Sequence, residues 1–221
     1  MNLFDILTNA DEERARNRRI NGVVTGIVTN NKDEEGLGRV KIEFPWLSED
    51  SEGDWVRVVS FMAGKERGGF FLPEVGDEVL VVFEHGDIDY PYVIGVLWSS
   101  EDVPPETNQD GKNNIKKITS RSGHEIIFND DDEQKKEKLE MHTKAGHKII
   151  LDDSAGQEKI DIIDKTGSNK ITIDSAQKSI NIESAMQLKI KSQTIEIEAG
   201  AMMSIKAGAT LTIEGALVKI N

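Results

Sequence analysis

The chain contains no cysteine, so no disulfide framework can staple it and no thiolate chemistry is open to it. That fits assembly in a reducing cytoplasm. Proline ends at Pro105, and the 116 residues after it have none. Proline removes a ladder donor, so its absence suits an uninterrupted sheet. Aromatic residues also stop early, with Phe128 alone beyond Trp98. Positive charge is scarce: 27 Lys and Arg stand against 40 Asp and Glu, for a net charge of −13. Neither half is basic, which argues against a phosphate backbone or an anionic lipid as the electrostatic partner. No apolar run is long enough to span a bilayer, and the start does not read as a signal peptide. If this protein meets a membrane, something carries it there.

What is plentiful is a short repeat. Glu198-Ala199-Gly200-Ala201-Met202-Met203-Ser204-Ile205 is followed by Lys206-Ala207-Gly208-Ala209-Thr210-Leu211-Thr212-Ile213, then by Glu214-Gly215-Ala216-Leu217-Val218-Lys219-Ile220-Asn221. Each glycine precedes an apolar pair, Met203/Ile205, Leu211/Ile213 and Val218/Ile220. A turn glycine every seven or eight residues, then a strand with one apolar face, is the period of a β-solenoid or β-prism. The pair recurs upstream as Ile126/Phe128, Leu139/Met141, Ile149/Leu151, Ile160/Ile162, Ile171/Ile173, Ile180/Ile182, Leu188/Ile190 and Ile195/Ile197. Eleven strands are therefore expected between Gly123 and Asn221, 13 residues apart at first and 7 or 8 at the end. The residues between the apolar members are mostly polar, as on the outer face of a period-2 strand. Two or three inward side chains cannot offset the cost of ordering such a strand. Copies of the chain must share the core, which predicts an intertwined oligomer and a rod.

The first hundred residues read differently. Leu3, Phe4, Ile6 and Leu7 open residues 1–20, either a short amphipathic helix or a solvated terminus. Five strand-like runs follow within 21–98: Gly22–Thr29, Arg39–Phe44, Trp55–Phe61, Glu78–Phe83 and Tyr92–Trp98. Turn-rich segments separate them, among them Asn30-Asn31-Lys32-Asp33, Gly68-Gly69 and Gly86-Asp87. Five short strands suit a small closed barrel enclosing an aromatic-bearing core; the OB-fold is the common five-stranded form, and an SH3-like barrel fits the pattern too. Residues 99–114 are polar with two prolines and read as a linker, leaving 115–221 as the rod.

Several motifs in fixed order carry a family resemblance. They are Gly38-Arg39-Val40-Lys41-Ile42-Glu43-Phe44-Pro45-Trp46, Trp55-Val56-Arg57-Val58, and the run from Gly68-Gly69-Phe70-Phe71-Leu72-Pro73 to Gly76-Asp77-Glu78-Val79-Leu80-Val81. Phe83-Glu84-His85-Gly86-Asp87 and Val93-Ile94-Gly95 complete the barrel set, and Thr119-Ser120-Arg121-Ser122-Gly123-His124-Glu125-Ile126 opens the rod. Together these resemble the central spike proteins of contractile injection machines: phage baseplate assembly protein V and its relatives, VgrG proteins of type VI secretion, and extracellular contractile particles.

The resemblance implies an all-β protein, an OB-fold barrel followed by an intertwined trimeric triple-stranded β-helix, or β-prism, needle. The shared trimer core would comprise Ile160, Ile162, Ile171, Ile173, Ile180, Ile182, Leu188, Ile190, Ile195, Ile197, Met203, Ile205, Leu211 and Ile213. It implies a trimeric hub or baseplate protein at the barrel end and, through it, the inner tube. It also implies a small PAAR-like tip protein docked on Leu217, Val218, Lys219, Ile220 and Asn221. The target membrane would be met mechanically. Many relatives carry a large hub region before the barrel, and some carry a lysozyme domain after it. Here about twenty residues precede the barrel and a 16-residue linker follows, so hub and hydrolase are expected to be separate proteins or absent.

Sites for chemistry are not prominent. His85, His124, His142 and His147 form neither H-x-H nor H-E-x-x-H, so no metal and no cofactor is expected, although one inward histidine per chain would supply three ligands in a trimer. Asn129-Asp130-Asp131-Asp132-Glu133 lacks calcium-loop spacing and reads as a solvated loop. No G-x-S-x-G, Walker or dinucleotide motif occurs, and no enzyme activity is expected. Trp46, Trp55 and Phe61 could stack bases, but an acidic barrel would repel the strand, so packing is their expected use and nucleic acid is not an expected partner. The reading is a structural spike assembled in the producer cytoplasm as part of a phage-tail-like particle or secretion apparatus. The alternatives are a trimeric β-helical fibre for receptor recognition and an OB-fold nucleic-acid binder.

Overall fold

The computed structural model describes residues 19–47 and 53–220, so the N-terminal Leu3, Phe4, Ile6 and Leu7 lie outside the described residues, as does Asn221. The chain divides into two compact units between Gln109 and Asp110.

The first unit is a closed five-stranded barrel. Its strands are β1 (Val23–Asn30), β2 (Arg39–Glu43), β3 (Val56–Val58), β6 (Glu78–Phe83) and β7 (Pro91–Val96), joined in the order β1-β2-β3-β7-β6. Four junctions are antiparallel, and β3 pairs with β7 in parallel, Val58 opposite Val93. The run expected at Trp55–Phe61 keeps only Val56–Val58 as strand. Beyond it the chain leaves the barrel to make a small hairpin, β4 (Ala63–Gly64) with β5 (Arg67–Gly68).

Alternation along β2 and β6 sends Val40, Ile42, Val79, Val81 and Phe83 inward, where they meet Val28, Val56 and Val93. This core is therefore β-branched rather than aromatic. Phe83 is the only buried aromatic side chain among the described residues. Phe61, Phe70, Phe71 and Trp98 stand 68–82% exposed, and Trp46 is half exposed. The strands are short and tightly curved, and valine fills the narrow interior where two-ring side chains would overpack it.

The loop between β1 and β2 is organised by Asp33. Its carboxylate accepts from the Leu37 N–H (3.1 Å) and from Arg39 Nε (2.9 Å) and Nη2 (2.8 Å). The Arg39 fork holds this carboxyl well below the usual carboxylate range, and so fixes where β2 begins.

The second unit is a seven-stranded antiparallel meander. Its strands are β8 (Ile115–Thr119), β9 (Glu125–Asn129), β10 (Lys138–His142), β11 (Lys148–Asp152), β12 (Lys159–Ile163), β13 (Lys170–Asp174) and β14 (Ser179–Glu183), each paired with its neighbours in chain order. Six of the eleven expected strands are β9 to β14, and β8 is an additional one. The five expected at Leu188/Ile190, Ile195/Ile197, Met203/Ile205, Leu211/Ile213 and Val218/Ile220 form no strand within this chain. The turn glycines differ between the two parts, although the reversals from β9 to β10 and from β13 to β14 contain none. Gly123, Gly146, Gly156 and Gly167 have φ between 74° and 98°, where the chain reverses, whereas Gly200, Gly208 and Gly215 lie outside the left-handed region. Among the described residues the segment after Glu183 has no antiparallel partner within the chain.

Candidate functional site

The register of the meander builds one apolar face. Ile126, Met141, Ile149, Ile162, Ile171 and Ile182 stand opposite one another strand after strand. A second row beside it runs Phe128, Leu139, Leu151, Ile160, Ile173 and Ile180. The two-residue spacing read from the sequence thus places Ile160, Ile162, Ile171, Ile173, Ile180 and Ile182 on one surface. Cross-strand aliphatic pairs of this kind contribute about 0.2–1 kcal/mol each.

In a single chain that surface is not covered. Ile160, Ile171 and Ile173 remain about 40% exposed, and Ile180 68%. The remaining expected core residues, Leu188, Ile190, Ile195, Ile197, Met203, Ile205, Leu211 and Ile213, lie in the strandless segment and are 47–73% exposed. Leu188 lines a groove of about 690 Å³ together with Ile149, Ile162, Ile171 and Ile182. Leu217, Val218 and Ile220 are exposed near the end of the chain. Exposed apolar surface on this scale marks an interaction site.

The opposite face carries the charged groups beside Ile127, Ile150 and Ile163, and several of those groups pair within the chain. Asp161 is buried, accepting from Thr172 Oγ1 at 2.6 Å, with Lys159 Nζ at 3.1 Å. Asp152 is buried too, accepting from Lys138 Nζ at 2.7 Å and the Ser154 N–H at 3.0 Å. Burial pushes the Asp152 carboxyl up, but the Lys138 ammonium and the Ser154 donors outweigh it and leave the group below its ordinary value. Lys170 Nζ lies 3.2 Å from Glu183 on the same face. One face holds the ion pairs and the other is left uncovered within the chain. The sequence alone distinguishes polar from apolar parity, but not which face is left uncovered.

Of the histidines, His142 sits on the polar face with Nε2 2.7 Å from Glu140, while His124 and His147 close turns and His85 occupies a left-handed turn position. Among the described residues no three His, Asp or Glu side chains converge as metal ligands would. Nor is any described helix long and apolar enough to cross a membrane.

The turn from Asp164 to Asn169 carries a testable titration. Asn169 Nδ2 donates to Asp164 Oδ2 at 3.0 Å, and Thr166 Oγ1 donates at 2.9 Å, bringing the carboxyl down to about 2, mainly through Asn169. A carboxyl lowered in the folded state adds stability above its unfolded value near 3.8, and that stability is lost as pH falls through about 2. Thermal midpoints followed from about pH 5 to about pH 2 should therefore fall less in Asp164→Asn than in the unsubstituted chain. Parallel curves would contradict the assignment.

Residues 24–98 match the type VI secretion system/phage-baseplate injector OB domain. The chain is 30% identical over 152 residues to the type VI secretion system spike protein VgrG1a of Pseudomonas aeruginosa, covering 62% of this chain and 23% of that protein. It is 40% identical over 114 residues to VgrG5 of the same organism, covering 48% of this chain and 14% of that one. To VgrG3 of Vibrio cholerae it is 33% identical over 102 residues, 42% of this chain and 10% of that one. The chain spans less than a quarter of the length of these relatives. The barrel with its one parallel junction coincides with the match to the injector OB domain, and the longest of these similarities exceeds that match in length; together they support the family of spike and baseplate-V-like proteins.

Proposed function

We propose that this chain is a structural spike of a contractile injection machine, acting as a homotrimer. The observation that carries the reading is the two-row aliphatic face, left uncovered and continued by a seven- or eight-residue repeat that finds no pairing in its own chain. Three copies would cover one another's faces and give the repeat its missing hydrogen-bond partners, as the backbone requires. The result would be an intertwined β-prism with one dry aliphatic core. Its job is mechanical rather than catalytic. Sheath contraction supplies the work, and a close-packed, fully paired prism transmits it to the target envelope without buckling.

The barrels would seat on a trimeric hub or baseplate protein, and through it on the inner tube. The far end, Leu217 to Asn221, would receive a PAAR-like tip protein. Assembly would take place in the producing cell, within a phage-tail-like particle or secretion apparatus. The similarity to type VI secretion system spike proteins supports this role. Imaging of the purified chain should show a needle about 50 Å long, from some eleven strands stacked at roughly 4.8 Å. Globular particles without a rod would overturn the reading.

A further inference from the structure

The two edges of the meander are held in different ways. On the edge formed by the loops after β9, β11 and β13, the main chain joins neighbouring loops directly. The Asp153 N–H donates to the Glu137 carbonyl at 3.0 Å, Ala155 to Lys135 at 3.1 Å, and Ser175 to Glu158 at 2.9 Å. On the other edge, the turns Ser120–His124, Thr143–His147 and Asp164–Asn169 follow β8, β10 and β12, and there side chains make the links. The Lys144 N–H donates to His124 Nδ1 at 3.4 Å and the Lys165 N–H to His147 Nδ1 at 3.2 Å. The Ala185 N–H donates to Asn169 Oδ1 at 3.1 Å.

His124, His147 and Asn169 occupy one structural position. Each closes its turn, and its own N–H donates to the side chain that opens the turn: Ser120 at 3.0 Å, Thr143 at 3.0 Å, Asp164 at 3.2 Å. Each side chain then accepts from the second residue of the next turn along. The same step is thus taken three times, twice by an imidazole and once by an amide.

We propose that these three side chains form a latch ladder that registers successive turns along this edge, and that protonation opens its two histidine rungs. An imidazole accepts at Nδ1 only when neutral with its proton on Nε2; the imidazolium is a donor at both nitrogens and faces the Lys144 or Lys165 N–H donor to donor. The Asn169 rung cannot titrate. Arg121 and Glu125 flank His124 on its own element, with Lys144 in the turn against it and His142 on the paired strand. Lys144 and Lys148 flank His147 on its own element, with Asp164 and Lys165 in the turn against it and His142 on the paired strand. The main-chain links of the other edge contain no imidazole, so acid would loosen one edge and leave the other.

Hydrogen–deuterium exchange of the full chain tests this, with rates corrected for the intrinsic effect of pH. At neutral pH, His147→Leu should raise exchange in the segment holding Lys165 about fivefold, the net worth of one hydrogen bond, while His147→Asn, which keeps an acceptor where Asn169 has one, should not. Moving from about pH 8 to about pH 5 should raise it in the unsubstituted chain and leave His147→Asn unchanged. The segment holding Ala185 should be insensitive in all of them. If the unsubstituted chain and His147→Asn respond alike to acid, the latch is refuted, and that comparison stands even if His147→Leu fails to fold. Equal protection of Lys165 in His147→Leu and the unsubstituted chain at neutral pH would also refute it.

Discussion

Replacing Ile173 with aspartate should take the assembly apart, whereas the same replacement at Lys170, three residues earlier, should leave it standing. Ile173 lies in the second aliphatic row, opposite Ile160 and Ile180. In the proposed trimer the three copies of residue 173 share one core, and three carboxylates would be buried there without partners. Breaking the compensation of a buried charge costs about 3–5 kcal/mol per site, before mutual repulsion is counted. Lys170 belongs to the other parity, beside Glu183. Lys170→Asp loses a surface ion pair and sets two carboxylates side by side in water, a loss of about 1 kcal/mol or less. Light scattering after gel filtration, with thermal melts, separates the cases. Equal losses in the two variants would mean that the apolar face is not the shared one.

In the proposed assembly, removing Val218 to Asn221 should leave the trimer intact and abolish co-purification of a PAAR-like tip protein. Val218 is 47% exposed and Ile220 90%. In the proposed trimer, three copies of these side chains would form an apolar ring, which is a liability unless something covers it. The four residues are a small part of the proposed core, so their loss costs assembly little and docking everything. A truncated needle that retains its tip as well as the full chain does would place the docking surface elsewhere.

Much of this was legible in the sequence because an apolar pair spaced by one polar residue reports parity directly. That spacing gives the rows from Ile126/Phe128 to Ile180/Ile182, and the pairing follows it residue for residue. β8 escaped because its apolar residues, Ile115 and Ile118, are three apart: Ile118 meets Ile126, but Lys116 stands opposite Phe128. The repeat after Glu183 shows the opposite failure. Its spacing is as regular as that of β9 to β14, yet periodicity announces a face and says nothing about which chain supplies the neighbour. In the barrel the five strands followed from alternation and turn residues. The placement of the rings did not, because an early run of aromatics reads the same whether it fills a core or, like Phe61 and Phe70, stands on the surface. The turn ladder was hidden for a further reason: Gly123-His124 and Gly146-His147 look like ordinary turn closures until their partners in the next turn are seen.

The fibre alternative shares the trimer, and the nucleic-acid binder does not need one. The mass of the full chain in solution therefore bears most directly on the account. One chain weighs 24.5 kDa. Light scattering in dilute buffer should give about three times that mass across a range of concentrations, as expected for copies that share a core and have no finished fold apart. A monodisperse monomer would contradict it, because the aliphatic face and the repeat would then have to be stable in water uncovered.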